Sequence, residues 1–274
     1  MSKFIEKVKE NKILFFIGIT IKSIFYNHIL NSFKYFRCFL VSKGLFSKGK
    51  YEAIEKFKNI HSGERCFIVG TAPSLTISDL DLLKNETTFS VNSVIKLYDK
   101  TDWRPTYYGI QDPFVYEKLE DYINTTNIPV GFVGDYIYNK YSSAKKFTPF
   151  FLYECGHVSH PERMKLRSGF SSDVSEIVYD GYSIVYSLLQ IAVYMGFKDI
   201  YLLGVDCSYS VTGKQHIIDS GFTDKQSGTV GERMIFAHSI AKDYLDHFQV
   251  EVKNVTRGGM LEVYERATLE DILK

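Results

Sequence analysis

Short apolar runs alternate with helical periodicity along most of the chain. Runs of four to six apolar residues bounded by turn residues are typical of buried parallel strands. Such runs predict strands at residues 66–70, 88–92, 106–113, 128–133, 200–206 and 250–255. Apolar residues at helical spacing predict helices at about 182–195 and 231–247. This alternation predicts an α/β fold with a mainly parallel sheet and helices on both faces.

Two weaker features complete the pattern. Ser78, with Asp81 three residues later, resembles a capping box and predicts a helix start. Residues 134–180 show little periodicity and predict a long irregular excursion, a lid over the site. His157 and His160 fall in this segment and are candidates for acceptor binding. We expect residues 51–274 to form one catalytic domain that carries the lid.

Residues 1–50 differ from the rest because lysines interleave with aromatic and aliphatic stretches. The apolar run Ile13–Ile21 is shorter than the roughly twenty residues that span a bilayer. No small-residue cleavage site follows it, so a signal peptide fits poorly. The segment predicts a basic amphipathic helix on the inner face of the membrane. A helical pair packed on the main domain and a contact in a homo-oligomer are the alternatives.

Composition narrows the class of protein. The chain has 274 residues, 45% of them hydrophobic, which is enough for a substantial core. The net charge of +1 gives no reason to expect nucleic acid as a partner. The four cysteines are far apart and suggest neither a metal site nor a disulfide framework, so we expect a cytoplasmic protein.

The predicted strands end in polar or small residues. In an open parallel sheet, ligands bind beyond the carboxyl ends of the strands. These ends carry Gly70-Thr71-Ala72-Pro73-Ser74, Asn92, Gln111-Asp112, Asp206-Cys207-Ser208-Tyr209, and Asn254 with Thr256-Arg257-Gly258-Gly259. Singly, Asn92, Asp112 and Asp206 are explained as turn or helix caps. Together, the strand ends predict a pocket.

The turn at Gly70–Ser74 lets backbone approach a ligand, and we expect its amides to be available to a phosphate. It is neither the GxGxxG loop of dinucleotide enzymes nor the lysine-bearing loop of P-loop kinases. Hydride transfer and P-loop kinase chemistry are therefore disfavoured.

Several motifs resemble known families. Gly70–Leu75, the strand Phe89–Asn92 and the segment Ala192–Asp206 resemble bacterial sialyltransferases of the Campylobacter lipooligosaccharide type. The GVD-x-SY element at 204–209 and the segment Asn254–Val263 are more similar to the MptE-like family. The resemblance covers about residues 60–265.

This resemblance implies a GT-A-like, Rossmann-like fold that binds a CMP-activated nonulosonic acid, such as sialic or pseudaminic acid. Thr71 and Ala72 depart from the sialyltransferase turn. Tyr209 falls near the position of a tyrosine that, in those sialyltransferases, hydrogen-bonds the leaving phosphate. The resemblance therefore implies no metal or other cofactor. The implied nucleotide and donor contacts are Gly70, Thr71, Ala72, Pro73, Ser74, Asn92, Gln111, Asp112, Ser183, Ser208, Asn254, Thr256 and Arg257.

The general base is chosen from the histidines because imidazole titrates near neutral pH. No histidine stands at the position of the sialyltransferase base, around residues 231–233. His216, after the 200–206 strand, is the first candidate, and His238 is the second. Asp206 is counted with His216 and Tyr209 as a catalytic residue, while Lys214 and Arg257 are candidates for offsetting donor charge.

The sequence therefore predicts a glycosyltransferase that uses a nucleotide sugar and a surface glycan or lipid-linked acceptor, peripheral on the inner membrane face. One alternative is an ATP- and Mg²⁺-dependent hydroxymethylpterin diphosphokinase, with Asp112 and Asp206 as metal ligands. Another is a non-catalytic protein that binds nucleotide sugars.

Overall fold

The structure is a computed structural model that describes residues 31–154, 168–208, 216–218 and 229–274. The chain divides into two compact units, residues 1–48 and residues 49–274. The first unit contributes helix α1 (Asn31–Ser42) to the described residues. Within the part of the chain that is described, no helix is both long enough and apolar enough to cross a membrane.

The second unit is built on an eight-stranded sheet in which every neighbouring pair of strands is parallel. The strand order is β10-β9-β8-β1-β2-β3-β4-β5, and β6 and β7 form a separate parallel pair. The strands are β1 (Arg65–Val69), β2 (Thr88–Val91), β3 (Tyr107–Ile110), β4 (Gly131–Gly134), β5 (Thr148–Phe150), β6 (Leu152–Tyr153), β7 (Val178–Tyr179), β8 (Asp199–Leu203), β9 (Glu251–Asn254) and β10 (Glu265–Arg266).

Helices cover both faces of this sheet. They are α2 (Ile77–Leu82), α3 (Pro113–Thr125), α4 (Asp135–Lys140), α5 (Ile184–Tyr194), α6 (Val230–His247) and α7 (Leu269–Ile272), with 3-10 turns at Gly49–Phe57, Asn92–Leu97 and Ser142–Lys146. Side chains of a strand alternate between faces, and β1 follows this rule. Cys66 and Ile68 join a core with α5 and α6, whereas Phe67 and Val69 join a second core with α2, α3 and α4. The predicted α/β fold with a mainly parallel sheet is confirmed.

The six predicted strands and both predicted long helices are present, displaced by a few residues at their ends. Helix α5 is buried on nearly every side, with Val193 as its partly exposed residue. A helix that is apolar all round lies inside the core, between sheet and surface elements. Its chain leaves through Gly196 at φ +97°, a conformation that favours glycine.

The capping box at the start of α2 lies two residues earlier than predicted. Thr76 Oγ1 accepts a hydrogen bond from Asp79 N at 3.2 Å, and the Asp79 carboxylate accepts one from Thr76 N at 2.9 Å. The predicted partner Asp81 instead accepts from Thr101 Oγ1 at 2.7 Å. The Ser78–Asp81 prediction was wrong. Thr76 and Asp79 have the same three-residue spacing, and Asp79 is the carboxylate that folding buries.

The predicted lid segment, residues 134–180, contains more regular structure than expected. Helix α4 and strand β5 lie in it, and β5 forms one edge of the main sheet. These elements have six and three residues, too few to display a periodic pattern. Residues 155–167, with His157 and His160, lie outside the described residues, so a lid role stays a prediction.

The buried amide of Gln190 on α5 fastens the return of this segment to the core. Its Oε1 accepts from Ser171 N and Tyr179 N, both at 3.1 Å. Its Nε2 donates to Tyr179 O at 2.7 Å and to Tyr186 O at 3.1 Å. Every polar group of this amide is therefore satisfied, as burial requires.

His238, the second candidate for the base, is fully buried on α6. Its Nδ1 lies 2.9 Å from Tyr264 Oη, and its ring meets Tyr186 edge to face. Burial lowers the pKa of His238 from 6.5 to about 3. A neutral imidazole in this position is part of the core and is closed to an acceptor substrate.

Acid should destabilise the protein through His238. Because its pKa is lower in the folded protein, the unfolded chain binds the proton first, and stability falls as pH drops below 6.5 towards about 3. Each pH unit in this range costs about 1.4 kcal/mol at most. We expect His238→Phe to be less stable at pH 7 and to show a flatter dependence, measured by urea unfolding at pH 7, 6 and 5.

His247→Gln is the matched control, since His247 is exposed at the end of the same helix. An equal slope for wild type and His238→Phe would contradict this account.

Candidate functional site

The sheet reverses its direction of growth between β1 and β8. From β1 the strands follow in chain order to β5 on one side, and the chain then returns so that β8 pairs with the other side of β1. The pairing runs over the whole of β1, from Arg65 opposite Asp199 to Val69 opposite Leu203. Crossovers depart to opposite sides at such a point and leave a crevice beyond the strand ends.

A small cavity of about 70 Å³, partly open to solvent, occupies this crevice. We call it the switch-point pocket, and its lining is Gly70, Thr71, Ala72, Val91, Asn92, Ser183, Ile184, Val185, Gly204, Val205, Asp206, Cys207, Ser208, His216 and Met234. Asp206 is the ionisable carboxylate among these described residues, and none of them is a lysine or an arginine.

Two glycines allow the ends of β1 and β8 to meet. A Cβ on Gly70 would lie 2.3 Å from the carbonyl oxygen of Gly204, and Gly204 has φ +67°. Gly70 N donates to Leu203 O at 2.8 Å, and Ala72 N donates to Gly204 O at 3.0 Å. The expectation that this turn leaves its amides available is wrong for Gly70 and Ala72, because β8 takes them.

Helix α5 supplies positive potential in their place. Its N-cap Ser183 and its first residues, Ile184 and Val185, line the pocket. Ser183 Oγ accepts from Val185 N at 3.2 Å. The first amides of a helix have no partner within the helix and carry the positive end of its dipole, so this end of the pocket favours an anion.

Asp206 is the charged group of the pocket. Ser74 Oγ donates to its Oδ1, and Met260 N donates to its carbonyl oxygen at 2.7 Å. Gly259, at φ +79°, packs so closely that a Cβ there would lie 2.7 Å from Asp206 Cα. Burial raises the pKa of Asp206 above 3.8, while its hydrogen bonds from Ser74 and the charge of Arg266 act in the opposite direction.

His216 stands at the same pocket. Its Nδ1 lies 2.9 Å from Thr71 Oγ1, and Ile217 N donates to Thr71 O at 2.8 Å. These two bonds seat residues 216–218 on the turn after β1. The structure thus brings together His216, Thr71 and Asp206, which the chain separates by up to 145 positions.

Asn92 has two features typical of a ligand site. Its φ is +46°, a left-handed conformation that asparagine tolerates better than most residues. Its Oδ1 is shielded from solvent and has no hydrogen-bond partner among the described residues, although Tyr108 Oη donates to its backbone oxygen at 2.9 Å. A buried acceptor without a partner costs about 1–3 kcal/mol, so a bound donor group would offset this cost.

Eight of the predicted site residues line the pocket, and seven others lie outside its lining. Those in the lining are Gly70, Thr71, Ala72, Asn92, Ser183, Asp206, Ser208 and His216. Of those outside it, Pro73 and Ser74 follow the turn, and Ser74 reaches the pocket through Asp206. Tyr209 and Lys214 lie outside the described residues, so their roles remain predictions.

Gln111 and Asp112 serve the structure around the end of β3. Gln111 Oε1 accepts from Ser187 Oγ at 2.7 Å. Asp112 caps α3 through bonds from Phe114 N at 2.7 Å and Val115 N at 3.2 Å. The capping interpretation therefore explains Asp112. Among the described residues, no three His, Cys, Asp or Glu side chains cluster in a way that could hold a metal ion.

Asn254 and Thr256 brace the end of β8 instead of lining the pocket. Asn254 Nδ2 donates to Leu261 O at 2.8 Å, and its Oδ1 accepts from Thr256 N at 3.0 Å. Thr256 Oγ1 accepts from Val205 N at 3.0 Å. Both residues are buried, so their polar atoms must be satisfied inside the protein.

Arg257 also lies away from the pocket. Its guanidinium forms two bonds of 2.7 Å with the buried carboxylate of Asp79, and Nη2 lies 3.4 Å from Glu270. The hydrogen bonds from Arg257 and from Thr76 lower the pKa of Asp79, although burial acts against them as the largest single influence. Arg257 thus ties the 257–259 turn to the start of α2 and does not line the switch-point pocket.

The sequence did not single out the apolar part of the lining. Ile184 and Val185 come from α5, and Met234 comes from α6. Gly231 explains how α6 reaches the site, because a Cβ there would lie 2.1 Å from Cys207 O. Gly231, where the helix predicted at 231–247 begins, is the local sequence signal of this close approach.

A family model described as "6-hydroxymethylpterin diphosphokinase MptE-like" matches residues 45–212, more than half of the chain. The chain belongs to this family. The predicted resemblance is confirmed, and the match covers β1 to β8 and most of the lining of the switch-point pocket. No curated protein matches the chain.

Two solved structures are similar to this chain. One is the MAf glycosyltransferase from Magnetospirillum magneticum AMB-1, with 13% identity, a TM-score of 0.47, and coverage of 81% of this chain and 39% of that protein. The other is the sialyltransferase CstII from Campylobacter jejuni in complex with a substrate analogue, cytidine-5'-monophosphate. It has 12% identity, a TM-score of 0.45, and coverage of 74% of this chain and 84% of that protein. This chain thus spans well under half the length of the Magnetospirillum protein.

Asp206→Asn should stabilise the protein at neutral pH. The folded protein holds the Asp206 proton more tightly than the unfolded chain, so stability falls as pH rises from 3.8 through the raised pKa. Asparagine keeps an oxygen for Ser74 and removes the charge. We expect a melting temperature higher than that of the wild type at pH 7, and no gain near pH 3.5.

Asp243→Asn, at an exposed position of α6, controls for the loss of one negative charge. A melting temperature at or below that of the wild type at pH 7 would show that the Asp206 carboxylate stabilises the fold.

Proposed function

We propose that the chain is a glycosyltransferase that moves a nonulosonic, sialic-type sugar from a CMP-activated donor to a hydroxyl of a glycan or glycolipid. The observation that carries the proposal is the switch-point pocket, where Asp206, His216 and the start of α5 face one cavity. The sequence resemblance of residues 60–265 supplies the donor class.

The donor would lie with its phosphate at the start of α5. Ser183 and the first amides of that helix favour an anion there, and Ser208 adds a hydroxyl to the lining. Asn92 Oδ1 accepts a hydrogen bond from the nucleotide sugar, for example from a ribose hydroxyl or a base amino group. The apolar side chains of Val185 and Met234 exclude water from the same space.

Transfer then needs one proton acceptor. The oxygen of the acceptor hydroxyl attacks the anomeric carbon, the bond from that carbon to the phosphate oxygen breaks, and CMP leaves with the electron pair. His216 takes the proton of the hydroxyl, with its ring oriented by Thr71 Oγ1 at 2.9 Å. Tyr209 is proposed to stabilise the departing phosphate.

A second candidate function is suggested by the description of the matching family. A hydroxymethylpterin diphosphokinase would transfer a diphosphoryl group from ATP and would need Mg²⁺. Asp206 is available in the pocket for that role, but Asp112 is used as the cap of α3. The described lining also offers no lysine or arginine for a triphosphate. These observations favour the glycosyltransferase.

Ligand-dependent melting separates the two functions. We expect CMP and CMP-sialic acid to raise the melting temperature with EDTA present, because at a hundred times the dissociation constant a ligand adds about 2.7 kcal/mol. UDP-sugars, GDP-sugars and ATP with Mg²⁺ are the comparison set. Stabilisation by ATP and Mg²⁺ alone would favour the diphosphokinase and remove the main proposal.

His216→Ala should separate chemistry from binding. We expect a loss of about 10²–10⁴-fold in turnover, the usual contribution of a general base. The shift in melting temperature with CMP should change little, because the start of α5 and Asn92 remain. His247→Ala is the control, and transfer at the wild-type rate by His216→Ala would refute the assignment.

A further inference from the structure

Helix α1 carries a row of exposed phenylalanines. Phe33, Phe36 and Phe39 recur every three residues, so they lie on one side of the helix, and they are 66%, 57% and 53% exposed. Leu45 and Phe46, just after the helix, are 71% and 57% exposed. We call these five side chains the α1 surface.

Such a concentration calls for a partner. Large apolar side chains are commonly exposed one at a time, as Phe114 and Phe248 are in the second unit. Five within fourteen positions are a concentration of exposed apolar side chains of the kind that marks an interaction site.

Positive charge accompanies these apolar side chains. Residues 31–48 contain Lys34, Arg37, Lys43 and Lys48 and no aspartate or glutamate. The Lys43 ammonium lies 5.9 Å from the centre of the Phe39 ring. Arg37 Nη2 donates to Lys48 O at 3.5 Å, which ties the turn back to the helix. Lys43 therefore lies beside one of the apolar side chains, and Lys34 and Arg37 belong to the same helix as the phenylalanines.

This combination fits one partner best. A nucleic-acid duplex would use the cations but would leave the phenylalanines in water. An anionic bilayer accepts both, since phenylalanine enters the boundary between headgroups and acyl chains while lysine and arginine remain among the headgroup phosphates.

We propose that the α1 surface docks on an anionic lipid bilayer. Phe33, Phe36, Phe39, Leu45 and Phe46 are the inserted side chains, and the four basic residues contact the headgroups. The helix then lies along the membrane surface. This inference does not depend on the reaction at the switch-point pocket.

The test compares the full chain with Phe33→Ser/Phe36→Ser/Phe39→Ser by co-sedimentation with vesicles. Wild type should bind vesicles of phosphatidylcholine that contain about 30 mol% phosphatidylglycerol. The anionic lipid gives the vesicle surface the negative potential that attracts basic segments. The triple variant should lose at least about tenfold in partitioning, because the apolar area buried in the bilayer sets binding strength. The control is Phe114→Ser/Phe248→Ser, which removes exposed phenylalanines from the second unit and should bind like wild type.

Charge dependence completes the design. Binding should weaken at least about tenfold on pure phosphatidylcholine and fall with added salt, since each basic residue near the surface contributes electrostatic attraction. Lys43→Gln should weaken binding to anionic vesicles less than the triple variant does. Unchanged melting temperatures and CMP responses would show that the variants keep their fold and their pocket.

Three results would overturn the proposal. One is an absence of wild-type binding to anionic vesicles, and another is equal binding by the triple variant. The third is a wild type that is dimeric and does not bind vesicles, together with a triple variant that is monomeric by light scattering. This result would make the α1 surface a contact between two copies of the chain.

Discussion

The pairing of β1 with β8 is the constraint on which the site depends. These two strands are more than a hundred residues apart in the chain, yet they align along their whole lengths and end together. Gly70 and Gly204 make this possible, because a side chain on Gly70 would meet the β8 backbone. The crevice beyond this pair receives the starts of α5 and α6 and the turns after β1 and β8. If the register of β1 and β8 slipped, Asp206 would no longer lie beside Ser74. His216 would likewise no longer lie beside Thr71.

The electrostatics of the pocket follow from this arrangement. The Gly70 and Ala72 amides after β1 donate to the end of β8, so positive potential comes from the start of α5. A single carboxylate, Asp206, lies in surroundings that raise its pKa. The bracing groups around it, Asn254, Thr256 and the Arg257–Asp79 pair, have their hydrogen bonds satisfied within the fold. Rigid support behind a partly desolvated carboxylate is the kind of arrangement that preorganised sites require.

The pocket also concentrates features that cost stability. Asn92 and Cys207 adopt left-handed backbone conformations, and Asn92 Oδ1 lacks a partner. Such positions persist when the surrounding structure over-determines them, and they collect at ligand sites. The core that offsets these costs is ordinary. Its two layers on either side of β1 are filled by apolar and aromatic side chains.

Local sequence pattern determined much of this protein. Apolar runs and helical spacing located six strands of the main sheet and both long helices, because burial of a strand or a helix face imposes a period on the chain. It missed β5 and β10, which are too short to show one, and it placed the α2 cap at Ser78 because Thr76–Asp79 has the same spacing. The strand-end rule also located Asn92, Asp206 and the Gly70–Ala72 turn, since ligands collect where parallel strands end.

Tertiary structure alone decided how the polar residues at those ends are used. Arg257 has the residue type of a ligand contact, but the buried carboxylate of Asp79, 178 positions away, takes its guanidinium. Asn254 and Asp112 also have suitable residue types, but backbone groups within seven positions of them take their side chains. Met234 and Val185 line the pocket from α6 and α5. The periodicity of these helices predicts which positions are buried, but it does not predict which of them line a pocket. The two candidate histidines differ for the same reason. His238 is enclosed by Tyr186 and Tyr264, whereas His216 is brought to Thr71 by the fold, and no spacing in the chain encodes which groups will meet.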